Sequence, residues 1–95
     1  MKLKYEYFIG GVHVGIFQAT FPFSMLCIND KKLKIKVFFI TIFNLFKSDI
    51  ASIQRIDDNL IKIETIKYQK ILFGGFSINK LINKMSRLGY KIDKG

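Results

Sequence analysis

Apolar residues recur at every second position along most of this chain, and at helical spacing only near its end. That change of period, from two to about 3.6, restricts the fold to a series of strands followed by one helix. Leu3, Tyr5 and Tyr7 alternate with Lys2, Lys4 and Glu6. After Gly10-Gly11, Val12, Val14 and Ile16 alternate with His13 and Gly15, as a second strand or as the continuation of a bent one. Phe21-Pro22 marks a break, because proline lacks the ladder donor and suits a strand start. Phe23 to Ile28 reads as a buried strand, and Asn29-Asp30-Lys31-Lys32 as a hairpin turn. Leu33, Ile35 and Val37 then alternate with Lys34 and Lys36, the pattern of a half-exposed strand.

Phe38 to Phe46 is apolar on both faces and holds four of the ten phenylalanines. A strand running from Leu33 to Lys47 is too long for so small a domain, which predicts a turn near Ile40-Thr41. Ile50, Ile53 and Ile56 lead to a turn at Asp57-Asp58-Asn59. Leu60 to Ile66 is a strand, Lys67 to Lys70 a turn, and Ile71 to Phe76 the last strand. Ile78, Leu81, Ile82, Met85 and Leu88 then fall on one helical face. Ser77 is placed to cap the start of that helix. Gly89 is placed to end it in a left-handed conformation, with Tyr90 folding back on Met85.

About seven short strands and a final helix argue an antiparallel barrel or sandwich capped by the helix. One apolar stripe on a lone helix needs a cleft, such as the open end of a partly closed barrel. The length of 95 residues suits a single domain, 1–95. Its strands span about 12–76 and its helix about 77–88, with 2–9 an additional N-terminal strand or arm.

Composition removes several classes of function. At 49% hydrophobic and 24% charged residues, the chain is neither disordered nor an all-apolar membrane protein. One cysteine excludes an internal disulfide, and with one histidine it excludes a closed Cys/His zinc site. Lysine and arginine outnumber the acids 16 to 7, a formal charge of +9. With the aromatics, this invites a nucleic-acid or anionic-membrane reading. Yet 14 of the 16 are lysine, and isoleucine outnumbers valine 16 to 3, the skew of AT-rich coding. Lysine also lacks the planar fork with which arginine reads phosphates and base edges.

The uncharged run from Tyr7 to Asn29 superficially resembles a signal peptide or a membrane span. Three glycines, Pro22 and several polar residues interrupt it, and Glu6 stands where a signal wants positive charge. Val37 to Phe46 is too short to span as a helix. The expectation is a cytoplasmic protein, with Cys27 a free thiol suited to a reducing compartment.

Constellations for catalysis do not assemble. His13 and Cys27 lie on neighbouring predicted strands, but Cys27 is flanked by Leu26 and Ile28 and reads as a buried thiol. Asp57-Asp58-Asn59 reads as turn chemistry. Ser48-Asp49 reads as a side-chain-fixed bend. Gly74-Gly75 lacks the spacing and the Lys-Ser/Thr of a phosphate loop, and reads as a bulge before the helix. No catalytic, metal or cofactor residue is assigned.

The order of elements, with particular segments, resembles a known family. Residues 19–26 (Ala-Thr-Phe-Pro-Phe-Ser-Met-Leu) with Asn29-Asp30 and Leu33 are similar to the opening strands of bacterial pleckstrin-homology-like (PH-like, GRAM-like) domains. Phe46-Lys47-Ser48-Asp49-Ile50 with Ile53 resembles their middle motif, and Ile71-Leu72-Phe73 with Leu88-Gly89-Tyr90 their ending. The resemblance covers residues 19–90. It implies a mainly β (α+β) fold, a PH-like partly open antiparallel barrel of about seven strands capped by one C-terminal helix. It also implies a binding module, usually non-enzymatic. Lys31, Lys32, Lys34 and Lys36 are a loose analogue of the basic first hairpin of phosphoinositide-binding relatives. They lack its arginine, and the chain lacks the usual C-terminal tryptophan.

Two surfaces are therefore candidates. Phe38, Phe39, Ile40, Ile42 and Phe43 form a candidate interaction patch, for a protein partner or for a second copy in a homo-oligomer. An unpaired apolar edge strand would serve the same end by strand addition. Lys31, Lys32, Lys34, Lys36 and Lys62 form a candidate anion-binding set, for nucleic acid or an anionic membrane. The expected function is a non-enzymatic binding module acting through protein–protein interaction or self-association. The alternative is a basic-surface binder of anionic lipid or nucleic acid.

Overall fold

A computed structural model describes residues 5–93. The predicted alternation appears as β1 (Glu6–Val14), β2 (Phe17–Ile28), β3 (Lys32–Val37) and β4 (Ile40–Phe46). A 3-10 turn at Lys47–Asp49 leads to β5 (Ile50–Asp57), β6 (Leu60–Thr65) and β7 (Lys70–Gly74). The helix α1 (Ile78–Arg87) and a two-residue β8 (Ile92–Asp93) end the described chain. The predicted pattern at Lys2, Leu3 and Lys4 lies outside the described residues.

The strands form one sheet in the order β4-β3-β2-β1-β7-β6-β5-β8. Every pairing is antiparallel except β5 with β8. The sheet bends into a partly open barrel, and among the described residues no strand pairs with the far side of β4. Ile78, Leu81 and Met85 of α1 enter the same core as Leu26, Ile35, Ile63 and Phe73, so the helix caps the barrel.

Two halves of the sheet meet at β1. Its register with β2 jumps between Gly10 and Val12, and Gly11 to His13 also pair with β7. Glycine is required at this seam: a Cβ on Gly10 would lie 2.0 Å from the Gly74 carbonyl oxygen. β1 is thus the bent single strand, not two strands. β2 likewise runs through Phe21-Pro22, whose peptide bond is cis. The expected break survives as the stretch of β2 where pairing with β1 is interrupted.

The expected turn near Ile40-Thr41 lies instead at Phe38-Phe39, which leaves Val37 opposite Ile40. A bulge then resolves the doubly apolar segment. Ile35 pairs with Phe43 and Lys36 with Thr41, so Ile42 is the extra residue. Ile42, Phe43 and Leu45 all pack against the core. Thr41, Asn44 and Phe46 face outward beside the β3 lysines.

The end of the helix follows the sequence expectation. Gly89 has φ of 86°, the Tyr90 N–H donates to Met85 O at 3.0 Å, and the Gly89 N–H to Ser86 O at 3.1 Å. The start does not. Ser77 has φ of −111° and ψ of 32°, and its hydroxyl makes no cap bond. That backbone departs from the extended geometry that aims a capping hydroxyl at the first turn. β8 is too short to show a period; it is held by the Ile53 N–H donating to Lys91 O at 2.9 Å.

Candidate functional site

The two-residue β3–β4 turn has left-handed backbone at both positions, φ of 50° at Phe38 and 67° at Phe39. A tight hairpin favours that geometry, but normally fills it with asparagine or glycine. Each non-glycine residue there costs about 1–2 kcal/mol. The strain holds two aromatic rings at the molecule's edge, with Phe38 63%, Phe39 89% and Ile40 68% exposed.

Only part of the predicted patch is therefore a surface. Phe38, Phe39 and Ile40 face water, whereas the bulge turns Ile42 and Phe43 toward the core. Residues of β1 and β2 join the exposed three. Phe23 stacks on Phe38 with ring centroids 5.1 Å apart and planes at 26°. Ile9, Pro22, Phe23, Met25, Lys36 and Phe38 line a shallow, mainly apolar groove of about 290 Å³. Further along β2, Phe21 meets Phe76 edge-on at 5.0 Å. The outward alternation of Tyr7 with Ile9 and of Phe23 with Met25 was the available signal for these members.

The basic set also divides. Lys32, Lys34 and Lys36 form a row on the outer face of β3, opposite Phe46, Asn44 and Thr41 of β4. The Lys34 ammonium sits 4.9 Å from the Tyr5 ring centroid and that of Lys32 5.0 Å from the Phe46 ring. Among the described residues, no acid occupies an outward position of β1 to β4 beside this row, and the Glu6 carboxylate pairs with Lys84 at 2.7 Å. Lys31 lies in the β2–β3 turn, where its N–H donates to Asn29 Oδ1. Lys62 stands on β6 beside Leu72 and Gln54, in the other half of the sheet, and does not join the row.

The catalytic combinations stay apart. Cys27 pairs with Tyr7 and His13 with Gln18, six positions further along β1, roughly 20 Å of strand. Cys27 is buried, but not in the barrel core: it lies on the outer face between Tyr7 and Lys34. Burial pushes its thiol pKa up, against the pull of Lys36 and Lys34. His13 Nε2 lies 2.8 Å from Gly15 O. Asp57 Oδ1 accepts the Asn59 N–H at 2.8 Å, and Asp49 Oδ2 accepts that of Phe46 at 3.0 Å, so both acids fix turns. Among the described residues no three of His, Cys, Asp and Glu cluster as metal ligands, and no helix is long and apolar enough to cross a membrane. No protein-family model matches this chain, and no curated protein is similar to it.

Proposed function

We propose that the chain is a non-enzymatic, cytoplasmic binding module of the PH-like kind, acting through a protein partner or a second copy of itself. The observation that carries this reading is the β3–β4 tip. Two strained phenylalanines stand in water beside an apolar groove, where folding alone would favour polar turn residues. The separation of His13 from Cys27 and the raised thiol pKa support a role without catalysis.

Light scattering on the pure chain and affinity capture from native lysate, each repeated with Phe39→Asp, test the reading. The variant is expected to unfold at the same temperature or higher, and to lose the oligomer or the captured protein. Wild-type and variant chains that behave alike in both assays would overturn it.

A second reading has its own support, the Lys32–Lys34–Lys36 row beside an aromatic tip. That combination suits an anionic lipid surface or nucleic acid. Co-sedimentation with anionic vesicles and oligonucleotide titration should then weaken steeply with salt. No binding at low salt would remove this reading.

A further inference from the structure

We infer that β4 is an acceptor edge for an extended, acidic segment of a protein partner, one that alternates apolar with acidic residues. This rests on the binding-module reading and specifies its partner.

The first observation is the state of the edge. β4 lies at one end of the sheet order, and among the described residues no strand pairs with its far side. It is the one strand from β1 to β7 without a fully buried residue. Its inward side chains, Ile42, Phe43 and Leu45, pack on the core yet stay partly exposed. Natural sheets protect such an edge with lysine, proline, a bulge or a very short strand, and β4 has only the bulge, at one end. Ile40–Phe46 reads Ile-Thr-Ile-Phe-Asn-Leu-Phe, seven residues with no charge and no proline. Its bulge at Ile42 leaves Phe43 to Phe46 in regular register with β3.

The second observation chooses the occupant. A strand laid along β4 stands about 4.8 Å from it and about 10 Å from β3. Its inward side chains would cover Phe43 and Leu45, and must be apolar. Its outward side chains would lie beyond Thr41, Asn44 and Phe46, within reach of the long, flexible stems of Lys36, Lys34 and Lys32. Those three cations have no carboxylate partner among the described residues. A second copy would bring a matching edge but another row of lysines and another +9. An acidic strand instead completes the apolar side and neutralises the basic side.

The test uses the whole chain and a labelled synthetic peptide alternating valine with glutamate, followed by fluorescence anisotropy. Binding is expected, and should be about tenfold weaker for the peptide with glutamine in place of glutamate. The combined Lys32→Gln, Lys34→Gln and Lys36→Gln variant should show a similar loss. Two further peptides carry N-methyl groups on one or the other alternate set of amides. One should lose binding and the other keep it, since only one set of amides faces β4. Equal binding by the two methylated peptides would overturn strand addition, and equal binding by the glutamine peptide would overturn charge recognition. A stable dimer with exchange-protected β4 amides, or no peptide binding at all, would also overturn the inference. In either of those cases, sensitivity of the oligomer or captured partner to Phe39→Asp would leave the binding-module reading standing.

Discussion

β4 and β6 are apolar strands of similar length, and the same chain treats them differently. β6 lies between β5 and β7, and its alternation is complete: Ile61, Ile63 and Thr65 are buried, while Leu60, Lys62 and Glu64 are not. β4 has more large apolar residues and buries none of them fully. Their turns differ in the same sense. The turn into β6 uses Asp57 to accept the Asn59 N–H, whereas the turn into β4 forces Phe38 and Phe39 into left-handed backbone. Where a strand has neighbours on both sides, residue choice follows the fold. At β4 it departs from what folding favours, a departure the proposed binding role would account for.

Matched truncations should expose the largest contrast. Ile63→Ala removes a side chain with no exposed surface and should cost about 2–5 kcal/mol in chemical denaturation. Phe43→Ala removes a larger side chain that is still partly in water, and should cost only about 1–2 kcal/mol. Equal losses would mean that β4 is as well buried as β6, and would erase the comparison.

The turns should differ in sign. Replacing Phe38-Phe39 by Asn-Gly supplies the residues this backbone prefers, and should raise stability by about 1–2 kcal/mol. The same variant should lose whatever the aromatic tip binds. A destabilised variant would show that the two rings, including the Phe23–Phe38 stack, contribute more to folding than their backbone costs.

Much of this architecture is legible in the sequence, for reasons that also mark where reading stops. Leu33, Ile35 and Val37 or Ile61 and Ile63 declare a buried face because period two admits one arrangement. Gly89 declares the helix end because few residues tolerate its φ. The β3–β4 turn lies two residues before the expected Ile40-Thr41, and no turn-forming residue marks it: the chain uses phenylalanine there. The bulge at Ile42 has no local signature either, so the run's being apolar on both faces places Ile42 and Phe43 in the expected patch. Sorting Lys62 from Lys32, Lys34 and Lys36 needs the strand order, which depends on contacts far apart in the chain.

The smallest effect concerns the contact between the end of the helix and the β2–β3 turn. The Tyr90 hydroxyl, just after the helix, donates to Asn29 O at 2.8 Å, in the turn that leads to the lysine-bearing β3. Asn29 Oδ1 in turn accepts the Lys31 and Lys32 N–H groups. Burial, with Asp30 and Tyr5 nearby, raises the Tyr90 pKa well above its ordinary 10.0. A raised folded-state pKa means that the folded chain holds this proton after the unfolded chain has lost it. The contribution is complete below about pH 10 and declines as pH rises further, by up to about 1.4 kcal/mol per unit. Tyr90→Phe should therefore cost about 1 kcal/mol at neutral pH, the loss of one buried hydrogen bond. It should also remove this part of the alkaline slope. Denaturation midpoints of the two chains, compared from pH 7 to pH 11, are expected to converge above pH 10. A gap that stayed constant across that range would show that Tyr90 ionises in the folded chain as freely as in water. The clamp between helix and β2–β3 turn would then be looser than its geometry.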